Sequence, residues 1–128
     1  MKKIKPIKFR GKYQTWDEEE YAFGDFTHDD FGKIYVDGYI VVEPDTIGQF
    51  TGAYDKKGAE IYEDDICEVA GDYKVVIRWD SENLRWYAEL PDGEIFSIVK
   101  FCVANAGGFY KVIGNIHDNP GLLKEGEK

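Results

Sequence analysis

A chain of 128 residues with 43% hydrophobic and 16% aromatic side chains is long enough to bury a core of its own, which excludes disorder and leaves no need for a structural metal or disulfide. The net charge is −9, and such an acidic body repels phosphate backbones, which weighs against duplex nucleic acid as a partner. Apolar runs such as Tyr39-Ile40-Val41-Val42 are far shorter than the ~20 residues of a spanning helix, so no membrane segment is expected.

The start, MKKIKPIKFRGK, carries the basic residues of a signal peptide, but charges and Pro6 interrupt any apolar stretch, and a cytoplasmic protein is expected. Its six basic residues carry +6, which leaves −15 for the rest of the chain. Lys5 to Arg10 reads as a first strand with Ile4, Ile7 and Phe9 inward and lysines guarding a solvated edge. The other reading of this arm is an anion-binding tail. Glu20 to Phe26 alternates as a second strand, and Asp25 to Gly32 reads as a loop or hairpin end. Lys33 to Val42 is a third strand, punctuated by Gly32 and Gly38. Ile47 to Ala53 follows, and Asp55-Lys56-Lys57-Gly58 predicts a type I hairpin turn whose glycine takes positive φ. Ala59 to Tyr62 is its partner strand.

Glu63-Asp64-Asp65 separates Tyr62 from the strand Ile66 to Val69, where the chain must change direction and where Asp tolerates a left-handed backbone. A meander comes next. Val75, Ile77 and Trp79 share one face of a strand, with Lys74, Val76 and Arg78 on the other. Leu84, Trp86, Ala88 and Leu90 repeat the pattern after a turn at Asp80 to Asn83, and Pro91-Asp92-Gly93 makes the next turn. Ile95 to Phe101 is strand or short helix. Gly107-Gly108-Phe109 reads as a bend, Phe109 to Ile116 as a last strand, and Asn119-Pro120 as an Asn-capped helical turn around Leu122-Leu123. Composition and spacing thus predict a mostly β fold, a small barrel or sandwich. An N-terminal β lobe over 1–54 and an SH3-like barrel over 55–128 would together make one compact unit.

Candidate chemistry is sparse. Zinc takes about four N/S ligands at short spacing, and Cys67 and Cys102 stand far apart with His28 and His117 as the two histidines. Both cysteines read as reduced thiols inside strands. His28-Asp29-Asp30 is explained by turn chemistry. Asp17, Glu18, Glu19, Glu20, Glu63, Asp64 and Asp65 supply carboxylates, but consecutive acids form solvated faces more often than acid/base pairs, and none follows a calcium-loop pattern. Phosphate-loop and nucleophile motifs are missing. Trp86, Tyr87, Phe109 and Tyr110 could stack bases, although alternate aromatics on strands are more often core.

Five blocks in order carry a family resemblance: Ile7 to Lys12, Tyr21 to Phe26, Ile47 to Gly52, Asp55 to Ile66, and Val112 to Pro120. Together they resemble the YopX family over nearly the whole chain, with a variable middle from about Val69 to Ala106. The resemblance implies a bacteriophage or prophage setting and a mostly β fold, and it implies no particular activity. Where the family usually has Glu-Gly-Asp, this chain has Glu63-Asp64-Asp65, which suits a left-handed turn residue at Asp64. His117 stands where an aromatic residue is common and reads as a packing or surface choice.

The sequence therefore leads to a non-enzymatic accessory protein with no catalytic, cofactor-binding or metal-binding residue. Its expected partner is protein, through self-association or a host or phage protein. The alternative is a nucleic-acid role, as a single-strand binder or an acidic decoy.

Overall fold

The computed structural model describes residues 7–97, 100–102 and 106–127. The chain is mostly β, built of antiparallel sheets, with a short helical turn near its C-terminus. It divides into two compact units, Met1–Phe50 and Thr51–Lys128.

In the first unit β1 (Phe9–Gln14) pairs antiparallel along its whole length with β2 (Glu19–Gly24). On its other side Phe9 and Arg10 face Gln49 and Gly48, at the start of β6 (Gly48–Tyr54). The first strand therefore begins and ends later than Lys5 to Arg10, and it is an interior strand rather than a lysine-guarded edge. Ile7 is exposed, while Phe9 packs edge-on against Phe26 at 4.5 Å; Ile4, Lys5 and Pro6 lie outside the described residues. The basic side chains here settle on aromatic rings and acids: Lys8 over Phe50, Arg10 over Tyr21, and Lys12 against Glu19 at 3.1 Å.

β3 (Phe26–His28), β4 (Ile34–Val36) and β5 (Ile40–Val42) form a small antiparallel meander. The stretch from Asp25 to Gly32 thus contains a strand, and Lys33 to Val42 is a hairpin rather than one strand. Asp37 and Gly38 both have positive φ (58° and 85°), a conformation that Asp and Gly tolerate, and with Tyr39 they form the three-residue loop between the paired Val36 and Ile40. Val36 and Val42 join Ala22 in a small core flanked by Tyr13, Ile34, Ile40 and Ile47.

In the second unit the later half of β6 leads into the Asp55 turn and β7 (Glu60–Tyr62), with Gly58 at φ 88° as the turn requires. β8 (Asp65–Val69), β9 (Tyr73–Asp80) and β10 (Arg85–Glu89) are the expected meander, and β11 (Tyr110–Asn115) returns antiparallel to β8, giving the order β10-β9-β8-β11. Val75 and Ile77 face a core with Ile61, Cys67, Val69, Ala88, Phe96, Phe101 and Tyr110. Val76 is buried on the opposite face, so the middle of β9 is covered on both sides. Trp79 lies outside this core and meets Trp86 edge-on at 5.0 Å. Leu84 belongs to the turn, exposed and left-handed at φ 54°, rather than to the strand.

Four further expectations change. Ile95 makes one isolated bridge to Glu89, and its described neighbours to Phe101 are in neither strand nor helix, with Ile98 and Val99 outside the described residues. Gly107, Gly108 and Phe109 continue a four-residue helical turn from the buried Ala106, whose N–H reaches the Cys102 carbonyl. The C-terminal turn is a 3-10 segment, Pro120–Glu127, and the Asn119 side chain bonds back to the Asn115 N–H at 3.3 Å instead of capping forward. Cys67 is a buried free thiol in a strand, whereas Cys102 is exposed and lies in no strand.

Gly11 marks a close approach in the first unit: a Cβ there would lie 2.7 Å from Val42 Cγ2 and 2.9 Å from Ile47 Cδ1. Gly11→Ala should overpack this small core and destabilise by about 1–3 kcal/mol. A lowered urea midpoint checks this; an unchanged midpoint would mean that the sheets do not approach so closely.

Candidate functional site

A β chain that changes direction leaves backbone N–H groups without a ladder partner, and buried N–H groups must be satisfied. The second unit answers this with carboxylates. Asp55 is buried and closes its own turn, accepting from the N–H groups of Lys57 (2.8 Å) and Ala59 (2.9 Å) on one oxygen. Its other oxygen accepts from Val112 N–H at 2.8 Å, beside a register shift between Val112 and Gly114 in the β8–β11 pairing. The turn is thereby fastened to the last strand. Burial pushes the Asp55 carboxyl up, but the N–H donors of Val112, Ala59, Lys57 and Gly58 outweigh it and hold it below the ordinary carboxylate value.

The acidic corner Glu63-Asp64-Asp65 is built the same way. Asp64 takes φ 71°, the left-handed conformation expected of a position that Gly can share. Its N–H donates to the Ile77 carbonyl at 2.8 Å, and its carbonyl accepts from Ile116 N–H at 3.1 Å. Asp65 is buried, and its carboxylate accepts from Tyr62 N–H at 2.8 Å, closing the corner from inside.

The sequence did not reveal what the Asp64 side chain does. Oδ1 accepts from Arg78 Nη1 at 2.9 Å, and Oδ2 lies 3.1 Å from His117 Nε2. Arg78 Nε reaches Glu89 Oε1 at 3.3 Å, so one polar chain runs from β10 through β9 and the corner to the turn after β11. His117 is thus a partner of Asp64 and not merely a packing or surface choice. It is positioned by Asn115, whose Oδ1 accepts from the N–H groups of His117 and Asp118, both at 2.9 Å. Gly114 completes the turn, since a Cβ there would lie 2.5 Å from Asn119 Oδ1.

This cluster joins groups 53 residues apart in sequence, beyond the reach of any local motif. A faint signal exists: Asp64 and His117 are two positions at which the chain departs from the resembled pattern, and they touch. Chemically the cluster is a clamp. Both carboxylate oxygens of Asp64 are occupied, and Arg78, about one third exposed, makes ion pairs of the kind worth no more than about 1 kcal/mol each.

The remaining candidates are explained locally. Asp29 Oδ1 accepts from Phe31 and Lys33 N–H, and Oδ2 accepts from Tyr35 O–H, so Asp29 closes the turn at His28-Asp29-Asp30. Asp17 bonds Thr15, Glu19 pairs with Lys12, and Glu20 accepts from Tyr13. Cys67 is fully buried, and burial followed by the charges of Asp65 and Asp55 drives its thiol well up, away from the reactive thiolate. No group of three or more His, Cys, Asp or Glu side chains placed to hold a metal occurs among the described residues. Of the aromatics weighed for base stacking, Tyr110 is in the core, Trp86 and Tyr87 are half-buried, and Phe109 is exposed.

A family model, described as YopX protein, matches residues 3–124. Comparison with curated proteins returns no match.

Two outcomes follow from this geometry. Asp55 ionises more readily folded than unfolded, so its contribution is full above the unfolded carboxylate value of about 4 and is lost as pH falls through the folded value. Urea unfolding should show Asp55→Asn less stable than the parent at pH 7, with the gap closing on acidification below about pH 4; a pH-independent gap would contradict this. Asp64→Gly and His117→Phe should each lose the same contact, so a double-mutant cycle should give a coupling of about 0.5 kcal/mol or more, whereas strict additivity would mean that the pair is not formed.

Proposed function

The chain belongs to the YopX protein family, and from that premise we propose that it is a non-enzymatic protein-binding module of a phage or prophage, acting in the cytoplasm of the bacterial host. The observation that carries this reading is the set of large apolar side chains left in solvent: Trp16, Phe31 and Tyr39 in the first unit, Tyr54, Leu84 and Ile95 in the second. Rings and large aliphatic groups are the anchors around which protein contacts form.

The polar clusters support the non-enzymatic half of the proposal. A catalytic carboxylate or imidazole needs a reacting group within reach, whereas Asp55, Asp64 and Asp65 are bonded into turns. The SH3-like reading of the second unit belongs to the same proposal, supported by the strand order β10-β9-β8-β11. Among the described residues no helix is long and apolar enough to cross a membrane. The single-strand alternative has less support, because Tyr110 is in the core and the net charge is −9.

The test compares the native chain with a variant carrying serine at Trp16, Phe31, Tyr39, Leu84 and Ile95, using light scattering and affinity capture from phage-infected cells. The native chain should form a defined oligomer or a stoichiometric complex that the variant loses while keeping its unfolding midpoint. A native monomer that retains nothing beyond what the variant retains would contradict the proposal.

A further inference from the structure

We propose that two aromatic-tipped turns of the first unit form a docking site for a Lys/Arg-rich segment of a partner protein, which deepens the protein-binding reading above and rests on it. The first turn joins β1 to β2. Thr15 N–H donates to the Glu18 carbonyl at 2.7 Å, Glu18 N–H donates to Thr15 Oγ1 at 3.0 Å, and Gln14 Nε2 donates to the Thr15 carbonyl at 2.9 Å. At the top of this fastened loop Trp16 is 97% exposed. The second turn joins β3 to β4 and is closed by Asp29, and at its top Phe31 is 92% exposed.

The two turns lie at the same end of the unit. The meander starts by the corner at Gly24 and Asp25, where Asp37 N–H donates to the Asp25 carbonyl at 2.9 Å. From there β5 rises beside β1: Val42 sits against Gly11, and Glu43 N–H donates to the Lys12 carbonyl at 2.8 Å. Ile34 is level with Val42 and His28 with Ile34, so the β3–β4 turn points away from the corner, as the β1–β2 turn does.

Charge selects the occupant. Asp17, Glu18, Glu19 and Glu20 flank Trp16, and Asp29 and Asp30 precede Phe31; Lys12 and Lys33 offset part of this charge. Exposed rings surrounded by carboxylates suit cations whose stems are apolar: a guanidinium or ammonium can lie on the ring face while an acid takes its N–H groups. The unit already uses this chemistry internally, with Lys8 5.5 Å from the Phe50 centroid and Arg10 5.2 Å from that of Tyr21. Because the turns are held by their own hydrogen bonds, little order remains to be imposed on binding.

The experiment is a fluorescence-anisotropy titration of the full chain with a dye-labelled nonaarginine peptide at about 150 mM salt, where distant charges are screened. The native chain is compared with Trp16→Ala/Phe31→Ala, which keeps every charge, and with Ile7→Ala/Phe109→Ala, exposed apolar positions elsewhere, as a control. Both rings are exposed, so equal unfolding midpoints are expected and are measured. The docking site predicts about tenfold or greater weakening in the first variant and none in the control. It also predicts a change in Trp16 emission on binding, read as native minus Trp16→Phe.

Equal affinity for native chain and ring variant would show that general negative charge holds the peptide, and would overturn the site. So would a ring variant that dissolves a self-complex while the native chain ignores the peptide, because the occupant would then be a second copy. A native chain that forms protein complexes yet fails this titration sinks the docking site and leaves the broader reading standing. One that does neither sinks both.

Discussion

The carboxylate of Asp55 reaches a backbone N–H 57 residues away, and much of the second unit depends on that reach. A hairpin turn and a returning strand come together there, beside the shift in the β8–β11 register. Water would otherwise have to satisfy Val112 N–H inside the fold, at a cost comparable to a lost hydrogen bond. One side chain removes that cost and also closes its own turn.

The same device recurs at other bends. Asp29, Asp65, Asp80 and Asn115 each turn an oxygen onto backbone N–H groups freed by a change of direction. This gives a physical reason for an acidic composition that has nothing to do with catalysis. Asp and Asn are short enough to reach the backbone two to four residues away and tolerate the left-handed conformation that tight corners impose. Asp64 adds a further function, since the chain Glu89-Arg78-Asp64-His117 ties β10, β9 and the turn after β11 to one corner.

What could be read from the sequence was local. The Asp55-Gly58 turn, the left-handed corner at Asp64 and the meander of β8 to β10 follow from turn chemistry and alternation, which act over a few residues. The first strand was misplaced because the Lys/Ile alternation before Arg10 looked amphipathic, whereas the feature that fixes β1 is the absence of a side chain at Gly11, where Val42 comes close. The hairpin inside Lys33 to Val42 is hidden in the sequence although Asp37-Gly38 is a turn signal, because the flanking apolar residues suggest one continuous strand. The Asp64–His117 and Asp55–Val112 contacts lie beyond the reach of periodicity, which carries no information on partners more than fifty residues apart.

The central claim is that buried acids complete the backbone hydrogen bonding at the corners, and amide hydrogen exchange measures this directly. If it holds, Val112 and Tyr62 N–H groups, which point at Asp55 and Asp65, should exchange as slowly as the β8–β9 ladder amides. Exchange at the rate of an open loop at both positions would mean that the carboxylates do not hold these corners.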